Sequence, residues 1–232
     1  QDRPRERRQR SSALERRIQM MDLYTWGTPN GHKVHIMLME CEREADCRVH
    51  AVNINDKEQL ADQVSPLVVN PKIPFLVDRH GADNAEVRVS ESGAILIYLA
   101  EKYQRFLATE PLERFRALQW LMFQMSAVGP MMGQLNHFKG RQNDGDAYAV
   151  ERFSTEVLRL HDVMEKHLTA CSYFAGGQYS IADMAIFPWI RLSQKLGIAW
   201  QDHPHLHDWY ERVLARPAVQ RALLLPHLTL AA

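Results

Sequence analysis

Residues 21–40, MDLYTWGTPNGHKVHIMLME, restrict the fold more than any other stretch of the chain. Leu23 to Trp26 is short and rich in aromatic and β-favouring residues, which suits a strand. Gly27, Thr28, Pro29, Asn30 and Gly31 follow, and proline beside glycine is strong turn punctuation. Val34, Met37 and Leu38 then recur at helical spacing, so a helix opens close to Asn30 or Gly31. A strand running through a polar turn into a helix sets backbone N–H groups and the positive end of the helix dipole beside Thr28 and Asn30. An anion such as a thiolate is favoured there.

The next residues continue the alternation of strand and helix. Residues 47–54 (CRVHAVNI) alternate well enough for a second strand, and residues 56–65 read as a short polar helix carrying Gln59. Phe75 to Val77 is a third strand, reached through Asn70, Pro71, Lys72, Ile73 and Pro74. A cis bond before Pro74 would turn the Ile73 backbone outward as an edge for an extended peptide, whereas a trans bond would simply end a loop. Residues 80–84 form the loop of a hairpin whose return strand holds Val87 and Val89. Ser90, Glu91, Ser92 and Gly93 then precede a helical stripe of Ala94, Ile95, Tyr98, Leu99 and Tyr103. Ser92 reads as a helix N-cap. Its functional alternative is a hydroxyl that holds a ligand carboxylate while Glu91 takes a ligand ammonium.

After a linker at 105–109 the pattern is helical throughout, which divides the chain into an α/β half over 20–104 and an all-helical half over 110–228. Residues 112–138 are long and apolar, and Gly129-Pro130 is expected to kink or break them. Residues 146–168 carry a one-sided stripe of Phe153, Val157, Leu160, Met164 and Leu168, with Arg152 at its border. Ser180 and Asp183 have capping-box spacing before a buried helix and read as folding determinants. Residues 205–216 and 218–225 close the chain as short helices.

Composition removes several classes of function. With 232 residues, 46% hydrophobic and 24% charged, the chain has the balance of an ordinary soluble globular protein. Zero formal net charge gives no reason to expect nucleic acid or an anionic membrane as partner, and no apolar run is long enough to span a bilayer. Cys41, Cys47 and Cys171 are odd in number and lack CxxC spacing, which speaks against a disulfide framework and for a cytoplasmic, reducing setting. Residues 1–19 carry seven arginines against Asp2, Glu6 and Glu15. A basic arm or organelle address is one reading, and a solvated extension ahead of the folded part is the expected one. His203, His205 and His207 offer a metal tract or a solvated helix start, and the second is expected in the absence of a Cys or carboxylate cluster. Cys41 is expected to be a buried thiol and His32 and His35 to lie on a solvated helix face. Trp120, Met122, Phe123, Met125, Met131 and Met132 are expected mostly in the core.

Six strings then point to a family: TPNGHK (28–33), NPKIP (70–74), SESGAILIYLAEKY (90–103), LQWLMFQMSAVGPMMGQ (118–134), YAVERF (148–153) and YSIAD (179–183). Together, over roughly residues 20–226, they resemble the bacterial nu-class glutathione transferases. Those proteins are also described as glutathione-dependent disulfide-bond oxidoreductases and are related to the yeast prion-forming nitrogen regulator. The resemblance implies a thioredoxin-like α/β domain followed by an all-α domain. It also implies a homodimer that binds glutathione or glutathione disulfide, uses no metal, and acts on a small disulfide, with peroxides or electrophiles as further substrates. It implies that Thr28 and Asn30 contact the glutathione sulfur and that Ile73 pairs with the cysteinyl backbone. Glu91 and Ser92 would then hold the γ-glutamyl ammonium and carboxylate, Gln59 and Arg152 would bind glutathione, and Lys72 would face the glycyl carboxylate. Pro71 and residues 139–147 depart from the family's pattern, which bears on the second substrate. The rival expectations are a conventional transferase that conjugates electrophiles and a non-catalytic glutathione-binding regulatory module.

Overall fold

The computed structural model describes residues 21–56, 62–141 and 146–226, so Gln59 and the basic residues 1–19 lie outside the described residues. The expected α/β half followed by an all-helical half is what it contains, as two compact units.

The first unit runs to Tyr103 and takes up the chain again from Arg221. It holds β1 (Met21–Thr25), α1 (Pro29–Glu40), β2 (Cys47–Ala51), β3 (Phe75–Asp78), β4 (Val87–Ser90) and α2 (Ser92–Tyr103). The sheet order is β2-β1-β3-β4, parallel between β1 and β2 and antiparallel elsewhere. A parallel pair needs a crossover, and α1 supplies it, whereas the hairpin loop suffices for β3 and β4. One face of β1 buries Met21 and Leu23 against the apolar side chains of α1 and α2, including Val34, Met37, Ile95 and Leu99. The other face carries Phe75 and Val77 in a cluster with Val52 and Val64. Each such side chain contributes about 1.5–3 kcal/mol on burial.

α1 is apolar nearly all round, and every residue from Gly31 to Glu40 is buried. His32 and His35 therefore do not lie on a solvated face as expected; both are buried. Such a helix has no polar stripe to offer water, so its polar side chains must find partners inside. His35 Nε2 faces Thr25 Oγ1 at 3.0 Å and its Nδ1 faces His32 at 3.4 Å. Burial holds the His35 imidazole down to about 3, so it is neutral. Cys41 caps the far end of α1 and is buried, as the sequence suggests. Buried Asp78 accepts from Tyr98 Oη–H at 2.7 Å, from the His80 N–H at 3.0 Å and from the Lys102 ammonium.

The second unit, from Gln104 to Gln220, contains α3 (Pro111–Phe123), α4 (Gly129–Lys139), α5 (Ala147–Leu168), α6 (Ile181–Ile190) and α7 (Pro204–Leu214). The expected break at Gly129-Pro130 takes a different form. α3 and α4 are joined by a π-helical segment, Gln124–Val128, which carries the helix on to Pro130 at the start of α4. Of the methionines in this stretch Met132 is fully buried, Met125 and Met131 are half-buried and Met122 is 49% exposed, so the stretch has a buried side and an open edge. The capping box of α6 forms as expected: Asp183 is buried and accepts from Ser180 N–H at 2.9 Å, Ser180 Oγ–H at 3.0 Å, Phe174 N–H at 3.0 Å and Trp209 Nε1–H at 2.9 Å. Burial pushes its carboxyl up to about 6, and these donors hold it back, so it is ionised at neutral pH. The three histidines at the start of α7, His203 as its N-cap and His205 and His207 within it, each face a different carboxylate: Asp162 for His203, Glu165 for His205 and Glu211 for His207. His203 is buried, so only the later two fit a solvated helix start. Among the described residues no group of three His, Cys, Asp or Glu gathers as metal ligands, and no helix is long and apolar enough to cross a membrane.

α8 (Pro217–Ala222) runs across the division between the units. Arg221 pairs with Glu44 at 2.9 Å, and Ala222 and Leu225 are buried. The residues from Arg221 onward, assigned to the helical half on sequence, thus group with the first unit.

Candidate functional site

The sheet register gathers most of the expected site residues. β1 ends at Thr25 and runs into Thr28. β3 begins at Phe75, directly after Ile73 and Pro74, and Phe75 pairs with Tyr24 on one side and Ser90 on the other. Ser90 leads into Glu91 and Ser92. The end of β1, the start of β3 and the end of β4 therefore meet at one edge of the sheet, bringing Thr28, Ile73, Glu91 and Ser92 to it.

Thr28 is the N-cap of α1, with extended backbone (φ −103°, ψ 162°) and its Oγ1 accepting the Gly31 N–H at 3.1 Å. Pro29 occupies the first helical position, where a proline fits. The turn is pressed tightly on β1, because a Cβ on Gly31 would lie 2.1 Å from the Trp26 carbonyl oxygen and 2.8 Å from Thr25 Oγ1. Only glycine fits there. The cap uses a lone pair of the Thr28 hydroxyl and does not need its proton, which can donate to another acceptor. Asn30 is half-buried in the first turn.

The Ile73–Pro74 peptide is cis, one of the two alternatives the sequence allows. Ile73 is half-buried beside it, and Lys72 is exposed.

Glu91 and Ser92 require a correction. The structure does not make Ser92 the N-cap; Ser92 is the first residue of α2, and the Glu91 carbonyl accepts from Ile95 N–H at 2.9 Å. Glu91 has φ 70°, in the left-handed region that a non-glycine residue enters at a cost of about 1–3 kcal/mol. That backbone leaves the Glu91 side chain exposed while Ser92 is buried. The Ser92 hydroxyl meets a residue that sequence reasoning did not single out: Lys33 Nζ donates to its Oγ at 3.2 Å. Lys33 is 1% exposed. Burial lowers its ammonium to about 7, and the negative charge of Glu91 opposes that shift. The signal for Lys33 lay in the sequence all along, since Val34, Ile36, Met37, Leu38 and Met39 leave α1 no wet side.

Arg152 belongs to the second unit. It stands exposed on α5 and lines a 770 Å³ cleft with Met131, Tyr148, Glu151, Phe153, Thr155 and Glu156. Gln59 lies outside the described residues.

The N-terminus of α1 has anion donors but, within the first unit, no cysteine beside it. Cys41 is at the opposite end of the helix, Cys47 is buried on β2 with its thiol pushed up by burial, and Cys171 is in the second unit. The first unit thus offers no cysteine of its own at Thr28.

Comparison with known proteins places the fold. The glutathione S-transferase N-terminal domain matches residues 19–101 and the glutathione S-transferase C-terminal domain matches residues 120–217. Disulfide-bond oxidoreductase YfcG of Escherichia coli is 41% identical over 206 residues, covering 88% of this chain and 95% of that protein. A glutathione transferase of Pseudomonas fluorescens, solved with two glutathione bound, superposes with a TM-score of 0.78 at 39% identity, over 88% of this chain and 92% of its own. A glutathione transferase from Pseudomonas putida, solved with one glutathione disulfide per subunit, does so with a TM-score of 0.82 at 36% identity, over 90% and 92%. With both halves matched and the thioredoxin-like and helical units in that order, the chain belongs to the glutathione S-transferase family.

Proposed function

We propose that this chain is a glutathione-dependent disulfide-bond oxidoreductase. The observation that carries the proposal is the Thr28 hydroxyl, which caps α1 at a helix N-terminus that has no cysteine of its own unit beside it. The glutathione sulfur rests against Thr28 and Asn30, where the hydroxyl proton, the Asn30 amide and the helix dipole raise its thiolate fraction. The thiolate attacks one sulfur of a small disulfide, a new sulfur–sulfur bond forms and the other half leaves as a thiolate that takes a proton from solvent. A second glutathione thiolate then attacks the glutathione sulfur of the mixed disulfide. Glutathione disulfide leaves together with the second reduced thiol, so two glutathiones are oxidised for each disulfide reduced.

The remaining site residues hold the tripeptide. Glu91 takes the γ-glutamyl ammonium, Ser92 and the N–H groups of α2 take its carboxylate, and the Ile73 backbone pairs with the cysteinyl residue. Lys72 faces the glycyl carboxylate, and Gln59 and Arg152 complete glutathione binding. Peroxides and electrophiles are slower second substrates. The exposed Leu112, Phe115 and Met122 of α3 support a homodimer, and three free cysteines suit a reducing cytoplasm.

Steady-state turnover of a small mixed disulfide with glutathione, beside aryl-halide conjugation on the same preparation, tests the reading. Rapid disulfide reduction with feeble conjugation is expected. The reverse would mark a conventional transferase, and glutathione binding with neither activity would mark a regulatory module.

A further inference from the structure

We propose that Lys33 is the positioning residue through which the Glu91–Ser92 corner receives a carboxylate, taking up one proton from solvent as the carboxylate docks and so tying ligand affinity to pH. The inference rests on the reading of this corner as the γ-glutamyl site.

The geometry sets up two states of one hydrogen bond. Lys33 Nζ and Ser92 Oγ are 3.2 Å apart inside the unit. A protonated Lys33 has no lone pair and must donate, so Ser92 accepts and its own O–H proton is directed elsewhere, available to a carboxylate. A neutral amine has a lone pair and can accept the Ser92 proton, which turns the hydroxyl's oxygen lone pairs toward the ligand and repels its carboxylate. Protonation of Lys33 thus decides which way the Ser92 hydroxyl points.

The free protein is balanced between these states. An ammonium almost sealed from water is disfavoured unless an anion is near, and burial brings Lys33 to about 7. A ligand carboxylate on Ser92 adds a second negative charge to that of Glu91 and raises the ammonium's affinity for its proton. The other charged groups around α1 are accounted for. Glu91, from the loop before α2, is the carboxylate acting on Lys33. His32 and His35 face each other and Thr25. Asp22 of β1 is held by His50 and Arg79, and Asp78 of β3 by Tyr98 and Lys102. Arg221, from the chain's return, pairs with Glu44.

The test uses S-methylglutathione, whose sulfur cannot titrate, and isothermal titration calorimetry of the full chain from pH 6.5 to 9 in two buffers of different ionisation enthalpy. The wild type, Lys33→Met and Lys33→Arg are compared. The ligand's own amino and carboxyl groups titrate alike in all three and cancel in the comparison. In the wild type, binding is expected to take up more protons than in Lys33→Met, and affinity to fall about tenfold more between pH 7 and 8.5. Lys33→Met should bind about tenfold more weakly at pH 7 with the extra proton uptake gone, and Lys33→Arg should bind at both pH values without it. Lys33→Met exchanges a buried amine for an apolar chain of similar length, so it is expected to fold; the wild-type pH series needs no variant. Equal proton uptake and equal pH profiles in wild type and Lys33→Met would overturn the role of Lys33 while leaving the glutathione site intact. No binding of S-methylglutathione by the wild type would overturn the reading of the corner itself.

Discussion

Thr28 performs two tasks that different substitutions separate. As N-cap its oxygen accepts the Gly31 N–H; as the sulfur ligand proposed above, its proton would donate to the thiolate. Thr28→Ser keeps both, Thr28→Ala removes both, and Thr28→Asp keeps the cap acceptor but has no proton to give. Loss of the cap costs about 1 kcal/mol. For a chain of this length that is a fall of about 2–4 °C in Tm. A hydrogen bond to a charged acceptor is worth about 1.5–3 kcal/mol. That corresponds to a rise of about one to two units in the thiol pKa of bound glutathione. The thiolate fraction at pH 7 then drops about tenfold to a hundredfold. A more basic thiolate is also a better nucleophile, with a Brønsted coefficient of about 0.4–0.5, so the net fall in turnover is about threefold to tenfold. Stability should run wild type, Ser and Asp together above Ala. Turnover should run wild type and Ser above Ala, with Asp lowest because its charge repels the thiolate. Thermal melts and the pH–rate profile of disulfide reduction give both orders on the same samples. A Thr28→Asp variant with wild-type turnover and an unmoved pH–rate midpoint would refute the sulfur-donor role.

Glu91→Gly relieves the left-handed backbone at φ 70° and removes the ammonium acceptor. It should raise Tm slightly while weakening glutathione binding about tenfold or more, and unchanged affinity would exclude the side chain from the site. Asp183→Ala leaves three buried N–H donors without an acceptor, at about 1–3 kcal/mol each. Urea unfolding should therefore show a loss of at least about 3 kcal/mol, and a loss under about 1 kcal/mol would mean the network carries little. His35 and His161 are held neutral at about 3 and about 4 by burial, below the ordinary histidine value near 6.5. The unfolded chain binds more protons in that interval, so stability is full above pH 6.5 and falls as pH drops from there toward 4. Denaturant midpoints at pH 7.5 and 5 should differ in that direction, and His161→Gln should reduce the difference.

How far the sequence could be read varied with the kind of interaction involved. Strands β1, β3 and β4 were legible because β-favouring side chains fill them and glycine, proline and asparagine bound them. The Ser180–Asp183 box was legible because its chemistry is local, three residues apart. Ser92 was misplaced by one position, because nothing in the residue type Glu announces a left-handed backbone; the sheet imposes that on Glu91 through the Phe75–Ser90 pairing. His32, His35 and His203 read as solvated on polarity alone, whereas His32 and His35 meet each other inside the unit and Thr25 and Asp162, the partners of His35 and His203, come from other elements. The join of α3 to α4 was mistaken for a break because proline was weighed without the π-helical segment that absorbs it. Lys33 stood inside a recognised string, yet its role depends on a contact 59 residues away in sequence.

The return of the chain at Arg221 bears on how the protein is made. The α/β unit is synthesised ahead of the helical unit, yet part of its wall, where Arg221 meets Glu44 and Met39 Sδ and the Ala222 backbone meets His35, is encoded after it. A nascent chain that has emitted only the first hundred residues leaves that side of α1 uncovered until the helical residues have followed. Folding of the α/β half is thereby completed only after translation of the helical half, and a product stopped between the two would lack this part of its wall.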